Sequence, residues 1–209
     1  MTTRIAAGLL LLAAVTHPAF AAPRDELYIR CLATQSWVTP QQSVQACTSL
    51  IESTSRDQPV ELAGLHDDRA RTYQGMKRLD LALGDMDAAV KLQPNDPNLL
   101  FWRALLLDDM GRTEDSVREM GVARRAGSAA ENVLNRRGFL YVKLDRLDDA
   151  MADFTELLKI SPGSADGLFG RGVVRLKTGE IEAGKADIAR AKQIDETVAA
   201  RSGLKEYQY

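Results

Sequence analysis

A repeat of 34 residues constrains the fold of this chain more than any other feature of its sequence. Four segments of equal length follow one another without insertion over residues 63–96, 97–130, 131–164 and 165–198. In every segment the eighth and twentieth residues are small, and the twenty-fourth is large and apolar. Agreement at so many positions predicts stacked structural units, each of which buries its apolar face against its neighbours.

The spacing of apolar residues inside each segment is that of a helix. Leu134, Gly138 and Tyr141 stand at i, i+4 and i+7, which places them on one helical face. Gly111 and Gly179 interrupt the middle of their segments, and Asp145 takes the corresponding place between them. Each segment is therefore predicted to be a helix-turn-helix hairpin whose small residues let the two backbones approach.

This pattern resembles the tetratricopeptide repeat (TPR). The third segment carries the resemblance most fully, through Leu134, Gly138, Tyr141, Ala150, Phe154, Leu157 and Pro162. Single positions depart from it: His66 replaces a large apolar residue and Arg175 replaces the tyrosine. The resemblance implies an all-α fold, an α-solenoid of about five stacked hairpins (a TPR superhelix) that ends in a C-terminal capping helix.

The chain is expected to divide into three parts. Residues 1–21 are interpreted as a signal peptide, because Arg4 precedes a short apolar run that ends in small residues at Ala19 and Ala21. A retained membrane anchor is the alternative, although the apolar run falls short of a bilayer span. Residues 22–60 predict a divergent N-terminal hairpin, and residues 61–209 hold the four repeats and a cap over 197–207. The protein is expected to be exported to a bacterial periplasm.

The resemblance also predicts how the two cysteines are placed relative to each other. Counting back from Cys47, as the large apolar residue of a second helix, places Cys31 at the small position of the first. These positions face each other in a tetratricopeptide hairpin, so the resemblance implies a Cys31–Cys47 disulfide in an exported chain. Two buried free thiols are the alternative.

A ladder of charges recurs in the same register. The seventh residue of each repeat is an arginine and the twenty-third is an acid: Arg69, Asp85, Arg103, Glu119, Arg137, Asp153, Arg171 and Asp187. The acid follows the arginine by 16 residues within a repeat, and the next repeat's arginine follows the acid by 18. Structural ion pairs that join the helices are the favoured interpretation. A basic stripe that grips anionic ligands is the alternative.

Composition and motifs do not favour catalysis. The 27 lysines and arginines against 29 acids lack the basic excess of a nucleic-acid-binding protein. After signal removal His66 is the remaining histidine, at an apolar position where a satisfied core residue is more common than a base. No phosphate loop, metal motif or nucleophile–base pair is found. The sequence thus predicts a non-enzyme with no cofactor, no metal and no catalytic residues.

The resemblance implies that the first helices line a concave groove for a protein or peptide partner. The groove residues carried over from the family, at the fifth, ninth and twelfth positions, are Asp67, Arg71, Gln74, Phe101, Leu105, Asp108, Asn135, Phe139, Val142, Phe169, Val173 and Leu176. The side-chain amide of Asn135 is expected to hold a ligand backbone. In the alternative, Phe101 and Phe169 pack between neighbouring hairpins.

Three functional hypotheses follow. The favoured one is an exported scaffold or adaptor that binds a protein segment in this groove. A spacer that self-associates through its end hairpins is the second, and a cell-wall enzyme with an unrecognised site is the third. The residues before the repeated arginines are Asp68, Trp102, Arg136 and Gly170, which lack the Lys, Arg and Asn set with which the family clamps chaperone C-termini.

Overall fold

The computed structural model describes residues 23–32 and 36–202, and within these ranges the regular structure is helical throughout. The predicted all-α solenoid is confirmed. Its helices, in chain order, are α1 (Arg24–Cys31), α2 (Pro40–Ser53), α3 (Pro59–Gly75), α4 (Leu79–Leu92), α5 (Pro97–Asp109), α6 (Thr113–Arg125), α7 (Ala130–Lys143), α8 (Leu147–Ile160), α9 (Ala165–Lys177), α10 (Ile181–Ile194) and α11 (Val198–Ser202).

Each repeat turns at a residue with left-handed backbone conformation. The fifteenth residue of every repeat has a positive φ: 59° at Lys77, 77° at Gly111, 56° at Asp145 and 91° at Gly179. This conformation ends the first helix and reverses the chain toward the second. Two repeats supply glycine, which adopts it freely, whereas Lys77 and Asp145 adopt it against the steric preference of a side chain.

Side chains and prolines fix where several helices begin. Asp96 caps α5 by accepting hydrogen bonds from the backbone N–H groups of Asn98 (2.8 Å) and Leu99 (3.0 Å). Pro97 then takes the first helical position, where its missing N–H has no partner to lose. Ser164 caps α9 in the same manner. The short polar connections between repeats thus become sharp helix starts.

The hairpins stack in order, each second helix packing on the first helix of the next repeat. Phe154 of α8 is fully buried between Gly138 of α7 and Gly170 of α9. A Cβ atom at Gly138 would lie 2.8 Å from the ring, and one at Gly170 would overlap it. These two glycines therefore make room for one aromatic ring between successive hairpins.

A short helix packs at the C-terminal end of the solenoid. The short helix α11 packs on α9 and α10, and Val198 and Ala199 are buried there. The capping helix predicted over 197–207 begins as expected, and its residues 203–207 lie outside the described residues. The predicted signal peptide also lies outside them. Among the described helices, none has the length and apolar character needed to cross a membrane.

Candidate functional site

The first helices of the repeats, α3, α5, α7 and α9, carry the predicted groove residues along one side of the solenoid. Helical spacing explains this alignment, because the fifth, ninth and twelfth positions recur on one face of each helix. Arg71 is exposed there. Eight further predicted residues are half-buried: Asp67, Gln74, Phe101, Leu105, Asp108, Asn135, Phe139 and Leu176.

Three of the predicted groove residues lie in the core instead. Phe169 and Val173 are fully buried and Val142 is 5% exposed. All three belong to the apolar cluster that also contains Val198 and Ala199 of α11. Helix α11 packs on α9 and joins this cluster, as expected for a last repeat that has no following hairpin. The three buried side chains offer little surface to a ligand in this structure, and Phe169 follows the packed alternative.

The aromatic residues of the middle repeats lie at the boundary between core and surface. Phe101 packs against two core clusters, with its ring edge-to-face on Trp102 at 6.1 Å between centroids. Phe139 packs edge-to-face on Phe154 at 5.0 Å. Both phenylalanines are half-buried, so part of each side chain remains accessible.

The groove contains one aromatic residue that the sequence analysis did not assign to it. Trp102 lies under the guanidinium of Arg71, which is 4.2 Å from the ring centroid. Asp67 holds the same guanidinium through two hydrogen bonds of 2.9 and 3.0 Å. The sequence signal for Trp102 is its position directly before the ladder arginine. A large aromatic residue stands at that position in one repeat, and the other repeats have Asp68, Arg136 and Gly170.

Polar side chains connect neighbouring first helices across this face. Gln74 of α3 donates to Asp109 of α5 at 2.6 Å, and Lys143 of α7 pairs with Asp108 of α5 at 2.8 Å. Asp108 also accepts a hydrogen bond from the Thr113 hydroxyl at 3.0 Å. The predicted ligand contacts at Gln74 and Asp108 are therefore already engaged within the fold.

Asn135 lacks the partner that a buried amide normally has. Its Oδ1 atom is buried and accepts no hydrogen bond from any residue that the structure describes. Buried acceptors are nearly always paired, since an unpaired one costs about 1–3 kcal/mol. The amide oxygen of Asn135 therefore has an unused capacity to accept a hydrogen bond.

The charge ladder pairs each arginine with the acid 16 residues later, inside the hairpin. Arg69, Arg137 and Arg171 bond their aspartates at 2.7–2.8 Å through Nε and one terminal nitrogen. Arg103 bonds Glu119 through its Nε at 2.9 Å. These carboxylate hydrogen bonds raise the pKa of the Arg69, Arg137 and Arg171 guanidinium groups. The arginines are therefore engaged and do not form a free basic stripe.

The two repeats that depart from the sequence pattern use the departing residue on this ladder. His66 bonds the ladder acid Asp85 through Nδ1 at 2.8 Å, and Arg175 bonds the ladder acid Asp187 at 2.7 Å. Burial is the largest influence on the pKa of Asp85 and raises it, but the hydrogen bonds from Arg69 and His66 together lower it below its ordinary value. His66 is thus a satisfied structural residue.

The cysteines lie in the N-terminal hairpin, where α1 packs on α2. Cys31 and Cys47 are both buried, and their sulfur atoms are at disulfide distance, 2.10 Å apart. Metal ligands are not clustered in the part of the chain that the structure describes: no group of three or more His, Cys, Asp or Glu side chains there is arranged to hold an ion.

Comparison with known proteins matches this architecture. The family model of the tetratricopeptide repeat matches residues 131–164, the third repeat. Comparison with curated proteins gives no match.

Several solved structures are similar to the fold. A tetratricopeptide repeat protein from Parabacteroides merdae has a TM-score of 0.73 at 15% identity, covering 88% of this chain and 73% of its own. A structure of MamA has a TM-score of 0.69 at 11% identity, covering 89% and 96%. YrrB, described as a TPR protein with an unusual peptide-binding site, has a TM-score of 0.63 at 15% identity, covering 78% and 83%. At these identities the likeness concerns the fold.

Proposed function

We propose that this chain, which is a tetratricopeptide repeat protein, is a non-enzymatic scaffold or adaptor of the bacterial cell envelope that binds a protein segment in its concave groove. The observation that carries the proposal is the central part of the predicted groove, where Trp102, Leu105 and Phe139 are half-buried and Oδ1 of Asn135 has no hydrogen-bond partner among the described residues. Such a surface combines apolar area with a hydrogen-bonding group, as protein-binding sites commonly do.

The binding mode follows from these side chains. A ligand segment gains apolar burial against Trp102 and Leu105, and its backbone N–H satisfies Oδ1 of Asn135 after a small rotation of the amide. Trp102 is held by Arg71 before the ligand arrives, so little side-chain entropy is lost on binding. The peptide-binding site named for YrrB, a protein of similar fold, supports a peptide or protein as the ligand class.

The envelope location is proposed on two grounds. The N-terminal sequence has the order of a signal peptide, with Arg4, an apolar run and a small residue at Ala21. The paired cysteines at disulfide distance suit an oxidising compartment. Fractionation of the cells that make the protein, with N-terminal sequencing of the product, tests both points. A cytosolic chain that begins at Met1 would contradict the location.

Groove binding is tested by capture of envelope proteins on the full chain and on a Trp102→Ser/Asn135→Ala variant. The proposal expects at least one partner that the variant loses, and this partner, once purified, should bind the unmodified chain at least tenfold more tightly than the variant. The matched control is Leu81→Ser/Ile181→Ser, which makes two apolar residues polar at sites that are 40% and 44% exposed and carry none of the groove residues.

The outcomes separate the competing functions. Loss of binding in the groove variant alone supports the scaffold. Equal binding by all three proteins places the partner outside the groove and contradicts the proposal. A mass that rises with concentration, in the absence of any partner, favours the self-associating spacer. Circular dichroism melting of each variant verifies that it is folded.

A further inference from the structure

A cleft of about 390 Å³ opens between the N-terminal hairpin and α3. The side chains that form its two walls include Leu32, Val38, Pro40, Asp68, Arg71 and Thr72. The wall on the N-terminal hairpin is apolar, and the wall on α3 is polar. Arg71 belongs to the set of groove residues predicted from the repeat pattern, and the other residues that line this cleft do not.

The cleft exists because the first helix of the N-terminal hairpin is short. Helix α1 has 8 residues, whereas α3, α5, α7 and α9 have 13 to 17. Since α1 ends at Cys31, the side of α3 that carries Asp68, Thr72 and Gly75 at i, i+4 and i+7 faces the cleft.

Asp68 is the unusual group in this cleft. Its side chain is half-buried and makes no hydrogen bond or ion pair with any of the residues described in the structure. Burial raises the pKa of Asp68, the neighbouring Asp67 carboxylate raises it further, and Arg71 lowers it only in part. The nearby cation is not available for closer pairing, because Arg71 is bound to Asp67 and stacked on Trp102.

The apolar wall of the cleft is also unused by the fold. Leu32 is 50% exposed, and Trp37, next to Val38 in the chain, is 57% exposed. The other polar group of the cleft, the Thr72 hydroxyl, is engaged with Ser43 at 3.0 Å and with the backbone carbonyl of Asp68 at 3.1 Å. What remains available is one carboxylate facing exposed apolar surface.

We propose that this cleft binds a lysine or arginine side chain of a partner's peptide segment, with an adjacent aliphatic residue packed on the apolar wall. Charge complementarity selects the cation: Asp67 and Asp68 together carry one more charge than Arg71 neutralises. The long methylene stem of a basic residue covers apolar surface while its charged end reaches a carboxylate. Leu32, Val38 and Pro40 provide that surface, and Asp68 provides the counter-charge.

This inference rests on the proposed function only in taking a protein segment as the ligand. The probe is the tripeptide acetyl-Leu-Lys-Leu-amide, titrated at millimolar concentration into the isotope-labelled protein. The protein is purified in the form that remains after the cell has processed its N-terminus. We expect saturable NMR shifts at the backbone amides of Thr72 and Gly75. The same tripeptide with norleucine in place of lysine keeps the apolar contacts without the charge and should bind at least fivefold more weakly.

Two variants make the test specific. Asp68→Asn should weaken lysine-peptide binding at least fivefold and leave the melting temperature unchanged or higher, because a half-buried carboxylate without a partner contributes no stability to the free protein. Asp80→Asn, which removes the same charge from an exposed position on α4, should leave binding unchanged.

Each outcome decides the inference. Equal binding of the lysine and norleucine peptides, or binding that survives Asp68→Asn, overturns it. Absence of shifts in the cleft also overturns it, as does occupation of the cleft by a second copy of this chain in concentrated samples. Tripeptide binding without capture of any partner through Trp102 and Asn135 would sink only the proposed function, and the reverse result would sink only this inference.

Discussion

In the two N-terminal repeats, residues 63–130, the arginine ladder reaches back to the preceding hairpin, whereas in the two C-terminal repeats, residues 131–198, it stays within its own. Arg69 donates to Thr48 of α2 at 2.8 Å, and Arg103 pairs with Asp87 of α4 at 3.1 Å. Among the described residues, Arg137 and Arg171 make no such bond to the preceding second helix.

The C-terminal repeats are joined by apolar packing at the same places. Phe154 fills the space between α7 and α9, where a Cβ atom at Gly170 would overlap its ring. One large ring facing two glycines produces a closely packed interface. The N-terminal repeats carry the more adaptable Met86 and Met120 at the position of Phe154.

One repeat pattern therefore permits two kinds of interface. In the N-terminal repeats, where polar bridges reach the preceding hairpin, Arg71 is exposed and Trp102 is half-buried. In the C-terminal repeats, Val142, Phe169 and Val173 are buried in the apolar cluster, whereas Asn135 and Phe139 stay half-buried. The predicted groove positions are thus more accessible on α3 and α5 than on α9, where the core takes two of the three.

The largest effect expected from this comparison is at Phe154. Phe154→Ala should lower the free energy of unfolding by about 3–5 kcal/mol, because it leaves a cavity between two hairpins whose helices cannot collapse onto each other. Urea unfolding followed by circular dichroism measures this change. A loss below about 2 kcal/mol would mean that the C-terminal interface does not depend on the ring.

The next effect is at the ladder of the first repeat. Asp85→Asn should lower stability at neutral pH by about 3 kcal/mol, because it leaves Arg69 without its buried counter-charge. The pKa of Asp85 is lowered in the folded state, so its contribution is present at neutral pH and is lost as the pH falls through that lowered value. Urea midpoints from pH 7 to pH 3 should therefore fall less steeply in the variant than in the unmodified chain.

A smaller effect distinguishes two helical glycines. Gly170→Ala should destabilise the chain by about 1–3 kcal/mol, since the new methyl group overlaps the Phe154 ring. Gly64→Ala is the matched control in α3, where no atom lies within 4 Å of the added Cβ. There alanine should stabilise by about 0.5–1 kcal/mol through helix propensity. The same sign of change at both sites would contradict the close packing at Phe154.

The smallest effect concerns the turns. Lys77→Gly should stabilise the first repeat by about 1 kcal/mol, because glycine relieves the left-handed conformation. Asp145→Gly should gain less, since it also removes the ion pair of Asp145 with Lys177 at 3.0 Å. Chemical denaturation of the two variants side by side measures the difference. A loss of stability at Lys77→Gly would show that its side chain has a role at the turn.

Much of this architecture could be predicted from periodicity. The hairpins follow from small residues at the eighth and twentieth positions, and their turns from Gly111, Asp145 and Gly179. The left-handed turn at Lys77 could not be predicted in this way, because lysine has no preference for that conformation. Lys77 is identified as a turn residue only by its place in the repeat register, because the fifteenth residue turns in the other three repeats.

The candidate site was predicted less well, for a physical reason. Helical spacing gives the face on which a residue lies but not what covers that face. The sequence therefore predicted Phe169 and Asn135 equally as groove residues. Phe169 is fully buried in the apolar cluster that includes residues of α11, whereas Oδ1 of Asn135 has no hydrogen-bond partner among the described residues. The partner of each ladder arginine was likewise open between separations of 16 and 18 residues until the hairpin geometry selected the shorter one.

The hairpin follows from the sequence, because local spacing of small, apolar and turn residues is enough to specify two helices and their contact. Which surfaces stay open depends on packing between the hairpins. The cleft beside Asp68 lies where α1 ends, and Val173 is buried in a cluster that also contains Val198 and Ala199 of the cap. Both features depend on contacts between hairpins. A pattern that repeats within each hairpin does not specify where a neighbouring helix ends or what packs on it.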